Sequence, residues 1–441
     1  MFSSFDPRAG LKALTIHRCV QAATPAFAVL IFTALAWSPP LRAAPDSGSL
    51  SLEDAVDQAL EATPQMIASL AMLEAAQAVL PSAGRLPDPE FVAAVDNLPV
   101  NTADRFSLTR DFMTMQRIGL MQSFPNQQKR RLQTERAAQD VAVAEAGLRK
   151  TRFDTARAVS EAWIALAVAE ESRLRLRDLR PEAELQAVTS RAALASGRAS
   201  AAEALAARSI AVRLDDRIRA LDQEVESRRA ELERWVGSAA GHPLAPMPTD
   251  FSLDMSPESL LAVVPQHAPL APLHAQLDAA KTEVALARAG KRPDWSAELS
   301  FQNRGADFSD MVSLEFRVGL PLFARHRQDP VIAEKLAIVR AQEAERDGEI
   351  RMHTAEVRSA LAEWSGGRAR LERYSTELLP LARDRSRATI ASYSAGRGDL
   401  RGAIDALSDE IDTQLEYVEL EGAVTSAWAY LHFLHDSGAS P

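Results

Sequence analysis

The feature that most constrains the fold of this chain is an internal repeat with a period of about 200 residues. Five unlike markers recur in the same order at offsets of 199 to 206 residues: Pro87-Asp88 and Pro293-Asp294, Gly119-Leu120 and Gly319-Leu320, Trp163 and Trp364, Pro181 and Pro380, and Gly197-Arg198 and Gly396-Arg397. Solenoid repeats are far shorter, at ~20–50 residues. Each copy therefore has to be a complete assembly of helices and strands, and we interpret the chain as two fused, similar halves.

The repeat divides the 441 residues into five segments. A signal peptide is predicted over residues 1–44, and a proline-rich linker over 237–256 separates the two repeats. The first repeat spans residues 45–236 and the second spans 257–436, and residues 437–441 form a tail. We expect the same order of elements in each repeat: helix, hairpin, long helix and returning helix.

The N-terminal segment has the pattern of an export signal. A basic region precedes an apolar run from Ala22 to Trp37, and small residues follow it at Ala43 and Ala44. The run is too short to span a membrane easily, so cleavage near Ala43 or Ala44 is expected, with a retained anchor as the alternative. Cleavage would remove Cys19, the only cysteine, and the mature protein would contain no disulfide.

Composition and motifs exclude several functions. The chain is acidic, with a formal net charge of −10, and it has no basic stripe, so nucleic acid is not an expected partner. The sequence contains no HExxH, GxSxG or Walker motif. We therefore predict no catalytic residues, no enzymatic activity and no cofactor.

Two hairpins are predicted, one in each repeat, with strands at about 89–97 and 113–124 and at about 295–303 and 311–321. In the second hairpin apolar and polar residues alternate strictly from Trp295 to Phe301 and from Val312 to Leu320. This alternation is typical of strands with one apolar and one polar face, as in a soluble sandwich or a bacterial membrane barrel. Four strands cannot close a barrel alone, and open sheet edges are not tolerated in lipid.

A long helical stretch follows each hairpin, over Gln127–Leu194 and Val331–Ser394. The first stretch has 68 residues and would extend about 100 Å as one helix. We expect bends at Pro181 and Pro380, because a proline deletes a helical hydrogen bond. Shorter helices are expected to return over residues 200–236 and 400–434, after the glycines that end the long helices.

This order of elements resembles the TolC-like outer membrane efflux protein family over nearly the whole mature chain. The segments that carry the resemblance are LPDPEF before the first strand, IGLMQSFPNQQKR before the first long helix, and SYSAGRGDL at the second helical turn. The segment NLPV…MTMQRIGLMQSFP resembles the branch that works with heavy-metal pumps. That branch commonly has Gly-Lys-Arg after the Phe-Pro, where this chain has Asn126, Gln127 and Gln128.

The resemblance implies a mainly α fold with a membrane β-barrel portion. Three chains with four strands each would make a 12-stranded barrel in the outer membrane, continued by an α-helical tunnel in the periplasm. The implied partners are two further copies of the chain, outer membrane lipid, a periplasmic adaptor protein and an inner-membrane pump of RND type. The implied cargo is heavy-metal cations, with drugs or a secreted polypeptide as alternatives. A structural periplasmic coiled coil and a stand-alone porin are the rival classes.

The resemblance also places a gate at the periplasmic turns. The gate tyrosine of the family matches Tyr393, one constriction aspartate matches Asp405, and the second aspartate position is Gly402. The first-half carboxylate that contacts the tyrosine matches Glu203, so we expect the Tyr393 hydroxyl to donate to Glu203. Further ion pairs are expected from Arg397, Asp399 and Arg401.

Three further predictions concern surfaces. The turns at Gly197-Arg198 and Gly396-Arg397 are expected to dock the adaptor. In a barrel, Arg117, Glu315 and Arg317 would point into the lumen. No bound metal is predicted: Met113, Met115 and Met121 are expected to be ordinary packing residues on a lipid-facing strand, as methionine often is.

Overall fold

The computed structural model describes residues 48–436, and it gives no side-chain description for the last two of them. The predicted signal peptide and the predicted tail therefore lie outside the described residues. The helices of the first half are α1 Leu52–Ala62, α2 Pro64–Val79, α3 Gln127–Ala195 and α4 Ala201–Val236. Those of the second half are α5 Pro257–Ala262, α6 Ala271–Ala289, α7 Ala324–Arg373, α8 Leu379–Ser394 and α9 Leu400–Asp436.

Four antiparallel strands form one sheet in the order β1-β2-β3-β4. Their bounds are β1 Glu90–Asp96, β2 Met115–Phe124, β3 Trp295–Asn303 and β4 Met311–Val318. The central pair, β2 and β3, joins the hairpins of the two halves, with Gly119 opposite Ser300. A Cβ atom at Gly119 would lie 2.8 Å from the Cβ of Ser300, so the close approach of these strands requires glycine.

The second long helix differs from its prediction. It begins at Ala324 instead of Val331, with Pro330 inside it, and a π-helical turn at Tyr374–Leu378 separates it from α8. Pro380 is the second residue of α8, two positions after the end of this turn. In a regular α-helix its ring would clash with the carbonyl four residues earlier, and a π-helical turn changes the backbone at that point. The first long helix contains Pro181 and continues through it to Ala195.

The repeat is visible in the packing of the two long helices. The indole N–H of Trp163 donates to the carbonyl of Leu50 at 3.0 Å, and that of Trp364 donates to the carbonyl of Phe251 at 2.9 Å. In both cases 113 residues separate donor and acceptor. Trp163 is fully buried at the centre of the largest hydrophobic cluster, and Trp364 packs against the same cluster. Each half therefore anchors its entry segment to its long helix in the same way.

Charged side chains cover the long helices and pair along them, as Arg157 does with Glu161 at 2.9 Å and Arg180 with Glu184 at 2.8 Å. Such exposed pairs contribute about 0–1 kcal/mol each. Within residues 48–436, none of the helices combines the length and apolar character needed to cross a membrane.

A buried histidine pair joins the segment after α5 to α7. The Nδ1 of His267 lies 3.1 Å from the Nε2 of His353, and each residue is only 5% exposed. The Nδ1 of His353 also lies 3.4 Å from Glu356 and 3.5 Å from the hydroxyl of Tyr430. Burial, together with the neighbouring His353, lowers the pKa of His267 to about 4, and burial also lowers the pKa of His353. The folded chain therefore favours both rings in their neutral form.

We expect the fold to lose stability as the pH falls from about 6.5 towards 4. His267 titrates near 6.5 when unfolded and at about 4 when folded, so the unfolded chain binds more protons in this interval. The melting temperature, followed by circular dichroism, should fall between pH 7 and 5 by ~1 °C for each kcal/mol lost, because the unfolding entropy of a chain of this length is large. His267→Asn should flatten this slope, and the exposed control His326→Gln should keep it. Equal slopes in wild type and His267→Asn would contradict the assignment.

Candidate functional site

The two faces of the sheet have opposite chemistry. Successive residues of a strand point to opposite faces, and the register fixes which residues share one. The apolar face carries Phe91, Val95, Ile118, Leu120, Trp295, Leu299, Phe301, Val312, Leu314, Phe316 and Val318. The polar face carries Glu90, Asp96, Met115, Arg117, Met121, Glu298, Ser300, Gln302, Ser313, Glu315 and Arg317.

The burial of these faces is the reverse of that in a soluble protein. The large side chains of the apolar face are 40–73% exposed, whereas Glu298 on the polar face is 3% exposed and Ser300 and Gln302 are also buried. Contiguous apolar surface of this extent marks a site that contacts another protein or a membrane. The sheet therefore presents an apolar outside and a polar inside.

Ion pairs cross the polar face from strand to strand. Arg117 on β2 lies 2.9 Å from Asp96 on β1 and 2.7 Å from Glu298 on β3. Glu298 also accepts from Arg317 on β4 at 3.0 Å, and Arg317 pairs with Glu315 on its own strand at 2.6 Å. Glu298 thus lies between two guanidinium groups, which offset the cost of burying its charge.

The structure places Arg117, Glu315 and Arg317 together on the polar face. The carboxylates that complete the set, Asp96 and Glu298, are not among the predicted site residues. Glu298 alternates in phase with Ser296, Ser300 and Gln302, and this signal in the sequence could have identified it. Asp96 shares its phase with Val92 and Ala94, so alternation does not identify it.

The methionines depart from their prediction. Met115 and Met121 lie on the polar face, because they share the phase of Arg117, and the Sδ of Met121 is 3.2 Å from Arg317. Met113 lies outside the strand. Within residues 48–436, no group of three or more His, Cys, Asp or Glu side chains is arranged to hold a metal ion.

The second candidate region is the pair of turns that end the long helices, which we call the helix tips: residues 192–203 and 391–405. Gly197 and Gly396 have φ angles of 71° and 70°, the left-handed conformation that favours glycine. The N–H of Arg198 donates to Ala193 at 2.8 Å, and that of Arg397 donates to Ser392 at 3.0 Å. Both tips therefore end in the same Schellman motif.

Each returning helix begins with a side-chain cap. Ser200 and Glu203 form a capping box, in which the N–H of Ser200 donates to Glu203 at 2.7 Å. In the second tip Asp399 accepts from the N–H of Gly402 at 2.5 Å. Hydrogen bonds from Ser200 lower the pKa of Glu203, against a smaller opposing effect of the charge of Asp399.

The predicted hydrogen bond from Tyr393 to Glu203 is not formed within the chain. Glu203 is engaged by Ser200, and the hydroxyl oxygen of Tyr393 is buried with no hydrogen-bond partner among the described residues. Asp405 is exposed and lies 4.0 Å from Arg401, and Arg397 is in the exposed turn. The structure therefore places Arg401 near Asp405 and leaves Tyr393 without its expected acceptor.

Comparisons with known proteins agree on one family of folds. Residues 265–435 match the family model described as outer membrane efflux protein. No curated protein matches the sequence. The outer membrane protein VceC of Vibrio cholerae is 18% identical, with a TM-score of 0.73 over 87% of this chain and 95% of that one.

Two further solved structures have the same fold. The CmeC outer membrane channel of Campylobacter jejuni is 13% identical, with a TM-score of 0.74 over 88% of this chain and 86% of that one. CusC, whose structures concern transmembrane channel formation, is 15% identical, with a TM-score of 0.70 over 88% of this chain and 92% of that one. The match therefore extends over both halves of this chain and nearly the full length of each channel.

Proposed function

We propose that this chain, which belongs to the TolC-like outer membrane efflux protein family, forms a passive exit duct in the outer membrane as a homotrimer. The observation that carries the proposal is the reversed burial of the sheet. Its apolar face suits contact with lipid, and its polar face suits a water-filled lumen. The edge strands β1 and β4 need partners in lipid. Three copies would supply them in a 12-stranded barrel.

The helical part would extend this duct through the periplasm. The 69 residues of α3 correspond to about 100 Å of helix. The helix tips would then face the inner membrane, where Gly197-Arg198 and Gly396-Arg397 would dock a periplasmic adaptor. An inner-membrane pump, of RND type by resemblance, would supply the energy, since the sequence contains no nucleotide-binding motif.

A subcellular fractionation tests the duct directly. We expect the mature chain in the outer membrane fraction, as a trimer that persists on a denaturing gel without heating and dissociates on boiling. A structural periplasmic coiled coil, the rival class, would not require an exposed apolar sheet face. Recovery of the chain as a soluble periplasmic protein would refute the duct.

The proposed cargo is heavy-metal cations. Support comes from the resemblance of residues 97–125 to the heavy-metal branch and from Asp405, three copies of which would make a negative throat that concentrates cations. A conduit needs weak sites, since conduction requires release.

Deletion of this chain should lower tolerance to at least one of copper, silver, zinc, cobalt and cadmium, measured as the minimal inhibitory concentration. The reason is that the pump would lose its exit path. Complementation with the intact chain is the control. Unchanged metal tolerance together with increased drug sensitivity would favour drug efflux, and loss of a secreted polypeptide would favour a secretion channel.

We further propose that the helix tips form the periplasmic gate. Tyr393 and Asp405 would narrow the tunnel, assisted by Glu203, Arg397, Asp399 and Arg401. Because the hydroxyl of Tyr393 is buried without a partner among the described residues, a neighbouring copy is a suitable source of its acceptor. An unpaired buried hydroxyl costs about 1–3 kcal/mol, so a partner would stabilise the closed state.

Tyr393→Phe and Asp405→Ala should each raise the single-channel conductance in planar bilayers several-fold, because each removes a contact or a charge at the narrowest point. Tyr374→Phe is a matched control: it removes a hydroxyl that bonds Glu416 at 3.0 Å, away from the tips. The control should conduct like wild type. Wild-type conductance in both gate variants would refute the gate.

A further inference from the structure

We infer that the ion pairs of the polar face continue from one copy of the chain to the next and close into a ring with one charged residue on every strand. The partner is a second copy of this chain, whose Asp96 would pair with Arg317. The inference rests on the proposed trimer and adds to it the residues that join the subunits in the barrel.

The part of the ring within one chain is already present. The four strands carry Asp96, Arg117, Glu298 and Arg317 in order, so that negative and positive charges alternate. Each neighbouring pair in this order is in contact, at 2.9, 2.7 and 3.0 Å. A fifth strand that continued the pattern would have to bring a carboxylate to Arg317.

The internal repeat identifies that carboxylate. Arg117 lies opposite Ala94, two residues before Asp96, and Arg317 lies opposite Ser296, two residues before Glu298. Asp96 and Glu298 therefore occupy equivalent places in the two hairpins. Arg117, on the last strand of the first hairpin, contacts Glu298, on the first strand of the second. The same contact between the second hairpin and the first hairpin of the next copy would pair Arg317 with Asp96 of that copy.

The exposure of the four side chains agrees with this arrangement. The inner members, Arg117 and Glu298, are 22% and 3% exposed. The outer members, Asp96 and Arg317, lie on the edge strands and are 37% and 48% exposed. The edge charges thus have the free surface that a neighbouring strand would cover, and their signs are opposite.

The packing of the helices predicts the same neighbouring copy. The helix α6 packs against both α3 of the first half and α7 of its own half. Its counterpart α2 packs against α3 and leaves Ile67, Met72 and Val79 exposed. If the packing of α6 against α3 is repeated between copies, α2 of the next copy packs against α7. Sheet and helices therefore require the same junction, from the second half of one copy to the first half of the next.

The ring has two physical consequences. Its arginines and carboxylates cancel, so Arg117 and Arg317 would not form an anion-selective belt, and the unbalanced charges on the strands are the carboxylates of Glu90 and Glu315. The ring also fixes the register of the barrel, because a shift of one strand would separate opposite charges, and the buried Glu298 makes such a shift costly.

Cross-linking tests the junction. In a Cys19→Ser background, which has no other cysteine, Asp96→Cys and Arg317→Cys are combined and outer membranes are treated with a short bis-methanethiosulfonate reagent. We expect covalent dimers and trimers on boiled, non-reducing gels. The matched control combines Arg317→Cys with Val95→Cys, which lies one residue away on the opposite face, and should give monomers.

The outcomes separate the ring from the duct. Heat-sensitive trimers of the Asp96→Cys and Arg317→Cys variant that give no covalent product would overturn the ring and leave the duct standing. Absence of wild-type trimers from the outer membrane would instead refute the duct.

A second measurement covers failure of the double variant to assemble. Arg317→Gln should lower the dissociation temperature of the trimer on gels. Glu315→Gln should leave the dissociation temperature unchanged, because the carboxylate that it removes pairs with Arg317 but is not part of the ring. Equal dissociation temperatures for wild type and Arg317→Gln would also overturn the ring.

Discussion

The pairing of β2 with β3 is the contact on which the rest of the structure depends. It joins strands that lie about 180 residues apart in sequence into one sheet. It thereby sets the position of the first hairpin relative to the second. The pairing is close enough that Gly119 has no room for a side chain beside Ser300. Its counterpart Gly319 lies just beyond β4, where a Cβ would be 3.8 Å from the carbonyl oxygen of Asp294, an ordinary contact distance. The strand β2 has a neighbouring strand on both sides, whereas β4 is an edge strand with a neighbour on one side within the described residues.

The two halves are most alike at the anchoring tryptophans and at the helix tips. Both tryptophans anchor an entry segment at the same sequence separation, and both tips end in the same glycine motif. They differ at the prolines: α3 is continuous through Pro181, while the second long helix has a π-helical turn before Pro380. The difference is local and leaves both tips with the same hydrogen-bonding pattern.

Much of the fold could be predicted because its signals are local. Strict alternation from Trp295 to Phe301 predicts a strand, and the structure has β3 at Trp295–Asn303. The glycines at 197 and 396 mark the ends of long helices, because only a residue without Cβ adopts the required φ easily. The start of α7 at Ala324 and the π-helical turn were missed, since they depend on how a proline is accommodated by its surroundings.

The site was less predictable because it depends on register. A sequence shows the phase of each strand, and this places Arg117 and Arg317 on a polar face, but it does not show which residues lie across from them. Asp96 and Glu298 become visible as partners only when the strands are aligned. The family resemblance placed Tyr393 against Glu203, while the chain uses Glu203 to cap its own helix.

The reversed sheet also has a consequence for the life of the chain before assembly. A newly exported subunit would carry an uncovered apolar wall and two unpaired strand edges, the two features that most promote aggregation. In water such a subunit would aggregate unless other copies or a holding chaperone covered these surfaces first. In the proposed duct, the unassembled subunit would therefore be more prone to aggregation than the trimeric barrel.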